Sequence, residues 1–250
     1  MRVARSLDIV DNYSRMNRGA GGMNGRCAVL GCEIVRRHCI VKCMPIEASE
    51  LEGRHVRLEP LELRHADGLA AASAVEPSLY QWSPVPQGKL EATKYIETAL
   101  AWREAGTALA FATIRVGDGI AIGSTRFFDI ERWAWPEGHA QHDRSTPDVC
   151  EIGYTWLTRD AIRTPANTEA KLLMLTHAFE TWKVHRVCLH TDVRNQRSRN
   201  AIERIGGCFE GILRAHRMAT DFIPRDSARY SIIASEWPAA KQELIAKLER

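Results

Sequence analysis

No stretch of this 250-residue chain approaches the roughly 20 uncharged apolar residues that a membrane-spanning helix requires. Segment 108–116 comes nearest in character, and Arg115 interrupts it. An excess of one charge is also missing: 34 Lys and Arg against 31 Asp and Glu leave +3, too little to imply a polyanionic partner. Neither a nucleic acid nor a membrane is therefore expected as a partner. The chain has no paired C-x2-C spacing, no secretory signal and no internal repeat. Its seven cysteines are odd in number and scattered, which favours a reducing, cytoplasmic setting over a disulfide framework. What is present is ordinary globular material, 45% apolar and 26% charged. That composition excludes disorder, collagen-like repeats and fibrous coiled coils.

The charge is uneven. Residues 1–45 hold eight basic and three acidic side chains, a local +5, which leaves −2 for the remaining 205 residues. Residues 11–26 are rich in Gly and Asn and lack hydrophobic periodicity. The reading is a basic, poorly ordered arm over 1–45 and a domain over 46–250, with a native start at Met44 as an alternative. Cys27, Cys32, Cys39, Cys43 and His38 could ligate zinc. Their spacings of four, six and three residues lack the usual close pair, so no metal is expected.

From Ile46 the pattern is dense. Alternating apolar residues predict strands at 55–58, 108–116, 121–130, 150–157, 184–193, 208–215 and 228–234. Helical periodicity predicts helices at 65–74, 90–104, 168–182 (with Thr168 as N-cap), 198–205 and 237–248. The order is that of one mixed α/β domain. The long segment 131–148 carries Trp133, Trp135, His139 and His142 and several carboxylates, and loops of that length are usually functional or disordered.

Two units carry chemistry. A strand over 150–157 runs through a polar loop with Arg159 and Arg163 into the strongest helix, so backbone N–H groups and the positive helix end converge where an anion would sit. Any strand–loop–helix crossover offers the same. In the second unit a strand ends at Asn195-Gln-Arg-Ser198 and a helix follows; Asn195 and Ser198 serve either as simple caps or as groups facing the first unit.

Four stretches bear a family resemblance: Leu51–Leu61, Glu151–Leu157, Asn167–Lys171 and Asn195–Ile202. In this order and spacing, over about four-fifths of the chain, they resemble the GCN5-related N-acetyltransferases (GNAT), in particular the RimJ/RimL-like branch that acetylates ribosomal-protein N-termini. The resemblance implies a central, splayed mixed sheet of about six to seven strands flanked by helices. It also implies acetyl-CoA lodged between strands 151–157 and 184–193. Tyr154, Thr155, Trp156 and Leu157 would pair with the pantetheine, Arg163, Ala166, Asn167 and Thr168 would hold the diphosphate, and Asn195 and Ser198 would contact the pantetheine and sulfur. One departure stands out. The family's glycine-rich cradle reads Ile162, Pro165 and Asn167 here, and Pro165 lacks an N–H.

Acetyl transfer to an amine needs a base, because an α-amine near pKa ~8 or a lysine near ~10.4 is largely protonated at neutral pH. It also needs donors for the oxyanion and a proton for the thiolate. Glu151 is the first candidate base, or else a plain strand-end carboxylate. Ser198 serves the thiolate or caps a helix, and Tyr230 is an acid or a packing residue. The expected activity is acetyl-CoA-dependent acetylation of a protein or peptide N-terminal α-amine by a monomer or homodimer. The alternatives are a small amine (a polyamine, an aminoglycoside or an amino-acid-like compound) as acceptor, or a silent CoA-binding module. Carboxylates in 129–148 would suit a cationic acceptor.

Overall fold

A computed structural model describes residues 46–250. The arm, the Met44 alternative and the four N-terminal cysteines with His38 lie outside the described residues. Eight strands form one sheet in the order β1-β2-β3-β4-β5-β6-β8-β7. They are β1 (Leu51–Glu52), β2 (Val56–Pro60), β3 (Leu109–Arg115), β4 (Ala121–Glu131), β5 (Val149–Leu157), β6 (Arg186–Asp192), β7 (Cys208–Met218) and β8 (Pro224–Ile233). The helices are α1 (Ala66–Ala74), α2 (Gly88–Glu104), α3 (Pro165–Thr176), α4 (Gln196–Arg204) and α5 (Trp237–Leu248). The mixed α/β architecture is the expected one, with one more strand than anticipated because two residues, Leu51 and Glu52, pair with Leu58 and Arg57.

Alternation along the central strands sorts side chains onto two faces. Phe111 and Phe127 pack with Met174, Leu175 and Trp182 beneath α3, while Ala110, Ala112, Ile114 and Trp156 meet Leu69, Tyr95 and Ile96 of α1 and α2. With helices on both sides, β3 is buried up to Arg115 and β4 from Ala121 to Phe128. Each large apolar side chain so enclosed contributes about 1.5–3 kcal/mol.

Helix α3 begins earlier than its hydrophobic pattern predicts. Thr164, not Thr168, is the N-cap: its Oγ1 accepts from the Ala166 N–H at 3.3 Å and donates to the Ala161 carbonyl at 2.7 Å. Pro165 takes the first helical position, where its fixed φ suits the helix and no intrahelical N–H bond is lost. Thr168 is buried one turn inside. After Thr176 the helix continues as a π-helical turn over His177–Thr181.

The hairpin β1–β2 is locked to α3 by one carboxylate. Glu169 accepts from the backbone N–H groups of Arg54, His55 and Val56 at 2.8, 2.6 and 2.7 Å. A Cβ on Gly53 would lie 2.6 Å from that carboxylate, so the turn has to pass there as glycine.

Candidate active site

All neighbouring strands are antiparallel except β5 and β6, and these are joined at only three positions: Val149 with Arg186, Cys150 with Val187 and Glu151 with Cys188. Beyond Glu151, β5 runs on to Leu157 paired with β4 alone, and β6 runs on to Asp192 paired with β8. A register shift in the β4–β5 ladder between Ser124 and Arg126 accompanies a left-handed φ of 51° at Tyr154, a bulge that turns β5 away from β6. The strands part into a wedge, and a cavity of about 830 Å³ opens there.

At one end of the cavity lies the start of α3. Arg163 turns through a φ of 64°, and the side chains of Arg163, Asn167 and Thr168 line the wall. The first turn of any helix has N–H groups without intrahelical partners; Pro165 removes one, and Thr164 takes that of Ala166. Arg197, Arg204 and Lys247 line the same cavity, so a polyanion entering it meets several cations. Among the expected residues, Glu151, Tyr154, Thr155, Trp156, Leu157, Arg163, Asn167, Thr168, Asn195 and Ser198 all reach the wall. Asn195 also caps α4, its Oδ1 accepting from the Ser198 N–H at 3.1 Å, so the capping and cavity-facing readings hold together.

Ala166 and Tyr230 are not brought to the wall. Ala166 is buried behind the N-cap. Tyr230 sits wholly in the core, its hydroxyl donating to Glu203 at 3.0 Å and accepting from Arg199 at 3.1 Å. It is a packing residue with a satisfied hydroxyl, whose ionisation burial pushes upward. The segment 132–148 does not reach the cavity wall either. Asp148 is buried, accepts from the Trp133 N–H at 2.7 Å and Trp135 Nε1 at 3.0 Å, and lies 3.4 Å from Arg144. Trp135 stacks on His139, and none of these residues borders the cavity.

On the α2 side of the fork Glu151 is 4% exposed. Its Oε2 lies 2.7 Å from His190 Nδ1 and 3.2 Å from Arg217 Nη2, and the same Arg217 nitrogen is 2.7 Å from Asp129. Burial pushes the Asp129 carboxyl up, against the pull of Arg217. Burial and then Arg217 hold His216, whose ring is 5.1 Å from that of His190, down to about 4. Sequence reasoning missed His216 and Arg217 because the polar run Arg214–Arg217 does not alternate, though β7 extends through it to Met218; it placed His190 in a strand but not at the site, because its neighbour Glu151 comes from another strand.

Lys171 was also missed as a site residue. It lines the cavity from α3, fully buried, with Nζ donating to Thr155 Oγ1 at 2.7 Å and Thr125 Oγ1 at 2.9 Å. Burial lowers its pKa to about 7. A lysine three residues past Thr168 and four before Leu175, on the helix face that turns inward, was the available signal.

A forked parallel strand pair with a helix N-terminus at its mouth defines an acetyltransferase of the GNAT class. Residues 55–207 match the acetyltransferase (GNAT) domain family, and the chain belongs to it. The chain is similar to a GCN5-related N-acetyltransferase from Brucella melitensis, with 32% identity, a TM-score of 0.70, and coverage of 82% of this chain and 87% of that one. Mycobacterium smegmatis RimJ, solved in complex with CoA-disulfide, shares the fold at 21% identity and a TM-score of 0.65, over 81% of this chain and 95% of that one. YdaF of Bacillus subtilis (strain 168), described as a candidate ribosomal N-acetyltransferase, is 33% identical over 91 residues, which are 36% of this chain. The match spans about half, 49%, of that curated relative's length. Among the described residues no helix is long and apolar enough to cross a membrane.

Proposed function

We propose that the chain transfers an acetyl group from acetyl-CoA to the N-terminal α-amine of a protein or peptide. The observation that carries this reading is the fork between β5 and β6. Residues 152–157 offer a strand edge whose N–H and C=O groups face no partner strand, and an extended pantetheine with its two amides can pair there as an added strand. The diphosphate then falls at Arg163–Thr168. Pro165 leaves one backbone donor fewer than a glycine would, and the surrounding cations offset that loss.

The acceptor approaches from the α2 side. Its nitrogen must lose a proton before its lone pair can attack the thioester carbonyl. Glu151, with His190 at 2.7 Å, takes that proton. As the C–N bond forms, the carbonyl oxygen gains charge beside the β5 backbone at the Tyr154 bulge, where N–H groups stabilise it. The C–S bond then breaks, and Ser198, on the cavity wall, supplies a hydrogen bond to the departing thiolate. The description of YdaF as a candidate ribosomal N-acetyltransferase supports a ribosomal protein as the acceptor's source.

Thiol release from acetyl-CoA, measured over a panel of ribosomal-protein N-terminal peptides and polyamines, tests this. Turnover of peptides is expected, with loss in Glu151→Gln and Ser198→Ala. Turnover of polyamines alone would replace the acceptor class, and CoA binding without turnover of any amine would leave a silent module.

A further inference from the structure

Arg126 is 1% exposed, the largest side chain so enclosed among the described residues, and it lines the cavity. Its guanidinium carbon lies 4.3 Å from the ring centre of Tyr154, 4.7 Å from that of Tyr95 and 5.2 Å from that of Trp102. Tyr95 is itself held by a 3.3 Å contact between its hydroxyl and Ser124. Nε and Nη2 of Arg126 are buried without a hydrogen-bond partner, and among the described residues no carboxylate comes within ion-pair distance of the guanidinium. Arg217, on the wall of the same cavity, has two, Glu151 and Asp129.

A buried cation without an anion is costly, and ring faces repay only part of its lost hydration. The donors of a guanidinium match a carboxylate in geometry and charge better than any neutral acceptor. Arg126 pairs with Gly153 across the β4–β5 ladder, and Phe128 with Glu151 two residues on, so the guanidinium and the proton-accepting carboxylate face the same side of the sheet. The side opposite α3 is where the acceptor enters.

We propose that Arg126 and its three rings form a carboxylate subsite, and that the acceptor amine carries a carboxylate a few bonds from its nitrogen. This rests on the transferase reading above. Two sources supply that chemistry, a small amino acid or a peptide with an acidic first residue. Polyamines and aminoglycosides, which have none, are excluded as substrates.

The test uses acetylated products as probes, since their nitrogen is uncharged and the carboxylate is the sole ionised group. N-acetylglycine is compared with N-acetylglycinamide, and N-acetyl-aspartyl-alaninamide with N-acetyl-asparaginyl-alaninamide, by titration of tryptophan fluorescence, to which Trp102 beside Arg126 contributes. At least one acid is expected to bind about tenfold or more tightly than its amide, and the pair that does so names the source. The preference should collapse in Arg126→Met and persist in part in Arg126→Lys. Equal affinity of acids and amides, a preference that survives Arg126→Met, or no saturable signal from either acid overturns the proposal. The wild-type comparison decides even if a variant fails to fold. Acetyl-CoA binding, measured on the same samples, reports failure of the transferase reading separately.

Discussion

Nδ1 of His190 lies 2.7 Å from Oε2 of Glu151 at the point where β5 and β6 separate. Sheet pairing delivers one group from each strand to the apex of the fork, and Arg217, reaching over from β7, ties the carboxylate to Asp129 as well. The same divergence that opens the cavity therefore sets this carboxylate–imidazole pair beside it.

If the two act as a unit, Glu151→Gln and His190→Gln should each lower kcat by about 10²–10⁴-fold. The double variant should be little worse than either single one. Initial rates at saturating acetyl-CoA, with CoA affinity within about twofold of wild type, check this. Multiplicative losses would mean separate roles.

Lys171 gives a pH dependence of defined sign. Its pKa falls from 10.5 unfolded to about 7 folded, through burial. Between those values the unfolded chain binds more protons, so this group makes stability rise with pH across that window and leaves it flat below about 7. Lys171→Met removes the slope. Urea unfolding at pH 7 and pH 9 should show wild type gaining up to about 2 kcal/mol on the variant.

Glu169→Gln leaves three backbone donors sharing a neutral oxygen. Charge-assisted bonds of this kind contribute about 1.5–3 kcal/mol each and do not add fully, so a loss of about 2–4 kcal/mol is expected by urea titration. Gly53→Ala should destabilise through the same contact, and the two changes should couple in a double-mutant cycle.

The fold was readable because strands 108–116 and 121–130 are apolar along most of their length and the helix ends carry Gly106 and Gly206-Gly207. Much of the cavity lining was readable too, since Glu151–Leu157 and Asn195–Ser198 are contiguous motifs at strand ends. Three things were not. The N-cap shifted to Thr164 because Pro165 starts a helix before its hydrophobic face begins. The polar Arg214–Arg217 run falls at an irregularity of the β7–β8 ladder, where Arg217 pairs with Arg225 and the Ala215 N–H donates to the Asp226 side chain, long-range facts that no local pattern contains. Arg126 and Lys171 look like surface charges in the sequence. Only the folded chain puts the one among three aromatic rings and the other under two threonine hydroxyls.

Titration of acetyl-CoA into the full chain and into Arg163→Ala by calorimetry bears most directly on the claim that the β5–β6 fork holds the acyl carrier. One molecule per chain should bind wild type with Kd below about 1 mM, a standard free energy of about −4.1 kcal/mol or better, and the variant should bind more weakly, with a shallower salt dependence. Absence of heat and of thermal stabilisation at millimolar acetyl-CoA would contradict it.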